Sequence, residues 1–196
     1  MKGALLLLIL AVAVCGSTQR RPNQENGLSR KVTKLSGALA DMRNSADDRR
    51  AQMRYLRAFP KTYKEYLELF DLGQPLYDGH EYVNAISPLA ANYERTVGNI
   101  LVNLSQDAHY DADAPSYLQQ ATSEYAAQHT KTFVSLLKRL PSMKEANLIT
   151  FLADVENHRA YPEYQMIIDQ LKTLGETALV NKFELARAKR EKQPHG

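Results

Sequence analysis

Apolar residues recur at Leu28, Val32, Leu35, Leu39 and Met42 in alternating steps of four and three. That spacing draws one stripe down a helix and is incompatible with a strand, whose faces alternate at every second residue. The register continues through Ala46, Met53 and Leu56 and fails only at Arg49. Similar stripes follow at Tyr63, Tyr66, Leu67 and Phe70, then at Leu89, Tyr93, Val97, Ile100 and Leu104. A further one runs through Leu118, Ala121, Tyr125, Phe133, Leu136 and Leu140. Three more close the chain: Leu148, Phe151, Leu152 and Val155; Tyr164, Ile167, Ile168, Leu171 and Leu174; and Leu179, Phe183 and Ala186. No stretch alternates long enough to compete as a strand. The expected fold is therefore all-α, a bundle of about seven or eight antiparallel helices after an N-terminal signal segment.

Punctuation divides these stripes. The stretch 28–58 reads either as one long helix with a coiled-coil-like seam or as two helices broken at Asn44 and Ser45; Ser45 with Asp48 resembles a capping box, so the break is the expectation. Phe59-Pro60 ends the second, because a residue before proline is pushed out of helical angles. Thr62 with Glu65, Asp78 with Glu81, and Ser142 with Glu145 repeat the capping pattern. Ser87 ahead of Pro88 reads as an N-cap with proline at the first helical position. One long helix is expected from about Pro115 to Leu140, stopped by Pro141. Gly73 and Gly175 stand where helices close.

The first seventeen residues carry a different message. Lys2 precedes an unbroken apolar run from Ala4 to Val14, followed by the small residues Cys15, Gly16 and Ser17. Charge, apolar core and small exit form the layout of a secretory signal. The run is far shorter than the roughly 20 residues needed to cross a bilayer. The exit reads two ways: Cys15 is a lipid acceptor, or an ordinary peptidase cuts before Ser17 or before Val14. Val14 opposes the first reading, because that position of a lipoprotein signal normally holds a small residue. The expected organisation is a signal over 1–16, a disordered polar tether over 17–27, one helical domain over 28–192 and a disordered tail over 193–196. With Cys15 the only cysteine, no intramolecular disulfide can form. The domain must hold by packing, for which 11 Tyr, 5 Phe and many Leu provide the area. The net charge of +3 leaves no nucleic-acid footprint.

Candidate chemistry is sparse. Asp107, His109, Asp111 and Asp113 occupy alternate positions, a density of oxygen and imidazole that could hold a cation. A calcium loop starting at Asp107 needs glycine where Ala112 stands and glutamate where Leu118 stands. The competing expectation is that Asp111 or Asp113 caps the following helix ahead of Pro115. His80-Glu81 opens like a zinc-protease motif, but Asn84 takes the place of its second histidine. His129 lies on an inward stripe four residues from both Tyr125 and Phe133, and Asp154 and His158 are four apart on one face. There is no serine elbow, no phosphate-cradling glycine loop and no cysteine nucleophile, so no cofactor is expected. Arg187, Lys189, Arg190 and Lys192 read as a solvated helix end.

The order Phe59-Pro60-Lys61-Thr62-Tyr63-Lys64-Glu65-Tyr66, then Asp111-Ala112-Asp113-Ala114 leading into Tyr117-Leu118-Gln119, then Phe151-Leu152 ahead of Tyr161-Pro162, resembles a loose group of exported, all-helical bacterial proteins of unknown function. The resemblance implies export and helicity and carries over no functional residue.

These readings lead to an expected role as a non-enzymatic envelope protein, facing the periplasm or lipid-tethered at Cys15, that binds another envelope protein as an adaptor or an immunity-type inhibitor. Tyr63, Tyr66, Tyr77 and Tyr82 are the expected interface anchors, since tyrosine offers large area at small entropic cost. The alternative is a metal-dependent hydrolase built on the 107–113 loop with His129 or His158.

Overall fold

A computed structural model describes residues 22–77, 79–109, 113–154 and 162–192. Among them the chain is all-helical, with ten α-helices and one 3₁₀ turn. The helices are α1 (Pro22–Asn44), α2 (Arg49–Ala58), α3 (Tyr63–Phe70), α4 (His80–Asn84), α5 (Ala90–Ser105), α6 (Ala114–Gln128), α7 (Thr130–Leu137), α8 (Ser142–Ala153), α9 (Pro162–Thr173) and α10 (Thr177–Glu191). The leader and Cys15, the tail, Asp78, Asp111 and His158 lie outside the described residues.

The stripes are where the spacing put them. Leu35, Leu39 and Met42 of α1 are buried, with Leu28 and Val32 packed at the edge of the same core. α1 starts at Pro22, so helix reaches into the 17–27 stretch expected to be a tether. Proline suits a first helical position, where its missing N–H costs nothing. The break between α1 and α2 falls where expected, but Asp48 alone makes the cap, its carboxylate accepting from the Arg50 N–H at 2.8 Å. The box at α3 forms: Thr62 Oγ1 accepts from the Glu65 N–H at 3.2 Å, and Glu65 Oε2 accepts from the Lys61 N–H at 3.0 Å. That bond, with Lys31 beside it, holds the Glu65 carboxyl below its ordinary range. Neither Ser87 nor Ser142 caps by its side chain. Residues 87–89 form the 3₁₀ turn instead, and Ser142 is the first residue of α8.

The expected 115–140 helix is two. His129 leaves helical angles (φ −123°, ψ 42°) between α6 and α7. The Thr130 hydroxyl donates back to the carbonyls of Ala126 (2.8 Å) and Ala127 (3.2 Å), a local bond that competes with the helical ladder and bends it. The inward stripe survives the break, because Leu118, Tyr125, Phe133 and Leu136 are all buried. A matching irregularity interrupts α5 at Tyr93 (φ −135°, ψ 41°).

α6 is the centre of the packing, touching α4, α5, α7, α8 and α9. Its buried polar side chains are satisfied. Thr122 bonds the Ser105 hydroxyl and the Leu118 carbonyl, both at 2.8 Å, and Gln119 Nε2 donates to the carbonyls of Phe151 (2.5 Å) and Asp154 (2.9 Å). The Gln119 bonds close the C-terminal end of α8, where a helix leaves its last carbonyls without partners.

The antiparallel expectation fails for α8 and α10. Glu145 near the start of α8 pairs with Lys182 near the start of α10 at 2.7 Å, and Asp154, capping the end of α8, pairs with Arg190 near the end of α10. The two helices therefore run in the same sense. Short connections favour antiparallel neighbours, but here α9 lies in sequence between the partners and supplies the return.

Candidate functional site

Of the residues singled out in the 107–113 loop, Asp107, His109 and Asp113 each engage a different neighbour. Asp107 forms an ion pair with Lys144, and Asp113 accepts the Tyr77 hydroxyl at 3.1 Å while standing at the N-terminus of α6. Asp113 has φ +60°, a strained position for a residue with a side chain. The exposed His109 ring meets the Tyr63 ring edge-on, 5.7 Å between centroids. Among the described residues no three His, Cys, Asp or Glu side chains converge to hold a metal ion. His80 is exposed at the start of α4, its ring against Tyr117. Asp154 is engaged by Arg190, and its expected partner His158 lies outside the described residues.

Three of the four tyrosines expected at an interface are core. Tyr66 is fully buried and donates its hydroxyl to the Ala114 carbonyl at 2.6 Å; Tyr63 and Tyr82 are also buried. Burial pushes the Tyr66 phenol well above its ordinary pKa. Phe59, Phe70 and Tyr82 complete an aromatic cluster with it, so clustering in sequence here reflects clustering in the core. Only Tyr77 is exposed.

His129 is placed differently from its expected seat on the stripe. Its ring stacks on Tyr125 at 5.1 Å, and its Nδ1 lies 3.7 Å from Glu94 Oε2. The other Glu94 oxygen accepts the Thr132 hydroxyl. These groups border an open depression of about 300 Å³ that also reaches Lys131, Gln170 and Leu174. The arrangement holds a helix break in place.

The feature with the makings of a binding site is the groove between α8 and α10, about 430 Å³ in volume. Its apolar lining comes from Ala146, Ile149, Leu185 and Ala186, with Lys182 and Lys189 on the α10 rim. α10 carries two neighbouring stripes. Leu179, Val180 and Phe183 enter the core, whereas Lys182, Leu185, Ala186 and Lys189, spaced i, i+3, i+4 and i+7, border the groove. Leu185 is 58% exposed, unusual for a leucine on the wall of an apolar depression. The Glu145–Lys182 and Asp154–Arg190 pairs stand at the two ends.

The expected solvated cluster at the end of α10 is partly committed within the chain. Arg187 lies over the Tyr164 ring at 4.9 Å and pairs with Glu191 at 2.9 Å, while Arg190 is bound to Asp154. Sequence reasoning did not single out Leu185, Ile149 or Gln119. The available signal was that Leu185 is an apolar residue beside the inward stripe of its own helix.

No protein-family model matches this sequence, and comparisons with curated proteins and with solved structures likewise return no match.

Proposed function

We propose that this chain is a non-enzymatic, protein-binding helical module of the bacterial envelope, delivered by its apolar leader and docking a partner protein through the α8–α10 groove. One observation carries the reading: an apolar trough walled by two parallel helices, with an exposed leucine on its wall and lysines along its rim. Contiguous exposed apolar surface bounded by polar residues marks interaction sites. The leader of Lys2 and Ala4–Val14 supports export, and its exit at Cys15 supports a lipid tether. Among the described residues no helix is long and apolar enough to cross a membrane.

The test places a photo-crosslinking amino acid at position 185 and, as a control, at Leu72, which follows α3 and is more exposed still at 72%, in cells that make the protein. A discrete adduct from position 185 and none from 72 supports the reading. Adducts at neither position, with turnover of a substrate by the purified protein, overturn it.

A further inference from the structure

We propose that the occupant of the α8–α10 groove is a single amphipathic helix of the partner, apolar on one face and edged with carboxylates. This rests on the docking role proposed above and adds the chemistry of what docks.

The length of the trough comes first. Glu145 and Asp154 are nine positions apart, which at about 1.5 Å per helical residue separates the two terminal ion pairs by roughly 13 Å. Apolar side chains at i, i+4 and i+7 of an incoming helix span about 10 Å and fit between those ends. Ala146 and Ala186 are small side chains in the lining that leave the trough open, Ile149 forms part of its buried floor, and Leu185 supplies the exposed apolar contact surface.

The walls favour a helical occupant. Both are helices whose main-chain groups are bonded within themselves, so the trough offers no row of donors and acceptors to a strand. An extended peptide would bury its own backbone polar groups unpaired, whereas a helix satisfies them internally.

Charge sets the edges of the occupant. In the Glu145–Lys182 pair the carboxylate side chain is 14% exposed and the ammonium side chain 52%. Asp154 and Arg190 are likewise drawn in, at 21% and 26%. The acids therefore sit low, and the outward charge is that of Lys182 and the exposed Lys189. A rim of that sign attracts Glu and Asp and repels a basic helix, which governs encounter rate and selectivity.

The experiment uses a fluorescently labelled, side-chain-stapled synthetic helix about four turns long, with Leu at i, i+4 and i+7 and Glu on both flanks. A matched probe carries Lys in place of Glu. Anisotropy with the purified full chain should show the acidic probe binding at least about tenfold tighter than the basic one, with affinity falling as salt rises. Leu185→Glu should weaken binding at least about tenfold, as should Lys182→Glu combined with Lys189→Glu. These side chains are exposed, and unchanged thermal melts of the variants establish that folding is not the cause. Equal binding of the two probes, or an unchanged affinity in Leu185→Glu, overturns the proposal. So does occupation of the groove by a second copy of the chain, read as a dimer lost in Leu185→Glu, or binding to phosphatidylglycerol vesicles that Leu185→Glu abolishes while the acidic probe does not bind. If crosslinking at position 185 traps a protein but the acidic probe is not bound, the occupant's chemistry is wrong and the docking role stands. If both fail, both are wrong.

Discussion

The Tyr125 hydroxyl donates to the Glu94 carbonyl at 3.0 Å, and Glu94 is the residue that follows the irregular Tyr93 in α5. Tyr125 lies one turn before the break at His129, and the Glu94 carboxylate reaches across to Thr132 and His129 on the other side of that break. The two helical interruptions are therefore one structural event: main-chain and side-chain groups of Glu94 bond to residues on both sides of the α6–α7 junction. The Glu94 carbonyl takes the Tyr125 hydroxyl and its exposed carboxylate takes the Thr132 hydroxyl, so one residue ties the two irregularities together.

Gly98 is what lets Tyr125 into that position. A Cβ on Gly98 would fall against the Tyr125 hydroxyl, 2.5 Å from its Cζ and 2.9 Å from Leu136 Cδ1. Gly98→Ala is expected to destabilise by about 2 kcal/mol, overpacking outweighing the roughly 1 kcal/mol that alanine gains in a helix. Denaturant unfolding measures it. In a Tyr125→Phe background the same substitution should cost less, because the nearest clashing atom is gone. A Gly98→Ala protein as stable as the parent would mean that the tyrosine is not wedged there.

Gln119 carries the closure of α8. Gln119→Leu keeps the bulk but leaves the Phe151 and Asp154 carbonyls without their donor in a buried setting, and a loss of about 2 kcal/mol is expected. Hydrogen exchange at the last turn of α8 should rise more than exchange in α1, which packs on α2 and α3. Uniform exchange across both helices would count against a local role.

The contrast between these positions and the stripes explains what could be read from sequence. Leu35, Leu39 and Met42 announce their burial through spacing alone, since a helix with one apolar side has one way to hide it. The break at 45–48 was also legible, because Ser45 and Asp48 offer a cap there although the apolar register runs on through Ala46. The break at His129 was not: neither Pro nor Gly marks it, the inward stripe passes through unbroken, and its causes are a Thr130 back-bond and a glutamate 35 positions earlier. Tyr66 and Tyr77 look alike in sequence, and whether a tyrosine is core or surface is decided by neighbours remote along the chain. The groove escaped for the same reason, since Leu185 becomes an exposed wall only once α8 lies parallel to α10.

That parallel alignment is itself testable through its end clamp. Asp154 and Arg190 are partly withdrawn from solvent, so their coupling should exceed that of a fully exposed pair yet stay near 1 kcal/mol. A double-mutant cycle with Asp154→Asn and Arg190→Gln measures it. Coupling indistinguishable from zero at low salt would mean that the contact contributes nothing to holding the two helices in register.

The tyrosine-lined core predicts a failure at high pH. Burial pushes the Tyr125 phenol up to about 12, with the Glu94 charge adding to the effect, and burial likewise pushes Tyr164 up to about 12 despite the nearby Arg187. Tyr55 and Tyr66 are raised further, again by burial first. In the unfolded chain these groups ionise near pH 10. Between about pH 10 and 12 the unfolded state therefore sheds phenolic protons that the folded state retains. Because the unfolded state then binds fewer protons, unfolding free energy falls as pH rises, by at most about 1.4 kcal/mol per pH unit for each such tyrosine. The stability these groups confer is fully present below pH 10 and is lost as pH climbs through the window. Denaturant midpoints at successive pH values should decline across it, and the share of the phenolate absorbance that comes from these buried tyrosines should appear in step with unfolding rather than before it. Tyr164→Phe should flatten the decline, since it removes one of the coupled protons, at the cost of the bond to the Phe183 carbonyl. Phenolate absorbance that develops fully while the helices stay intact would show that these hydroxyls are open to solvent, contrary to the packing described.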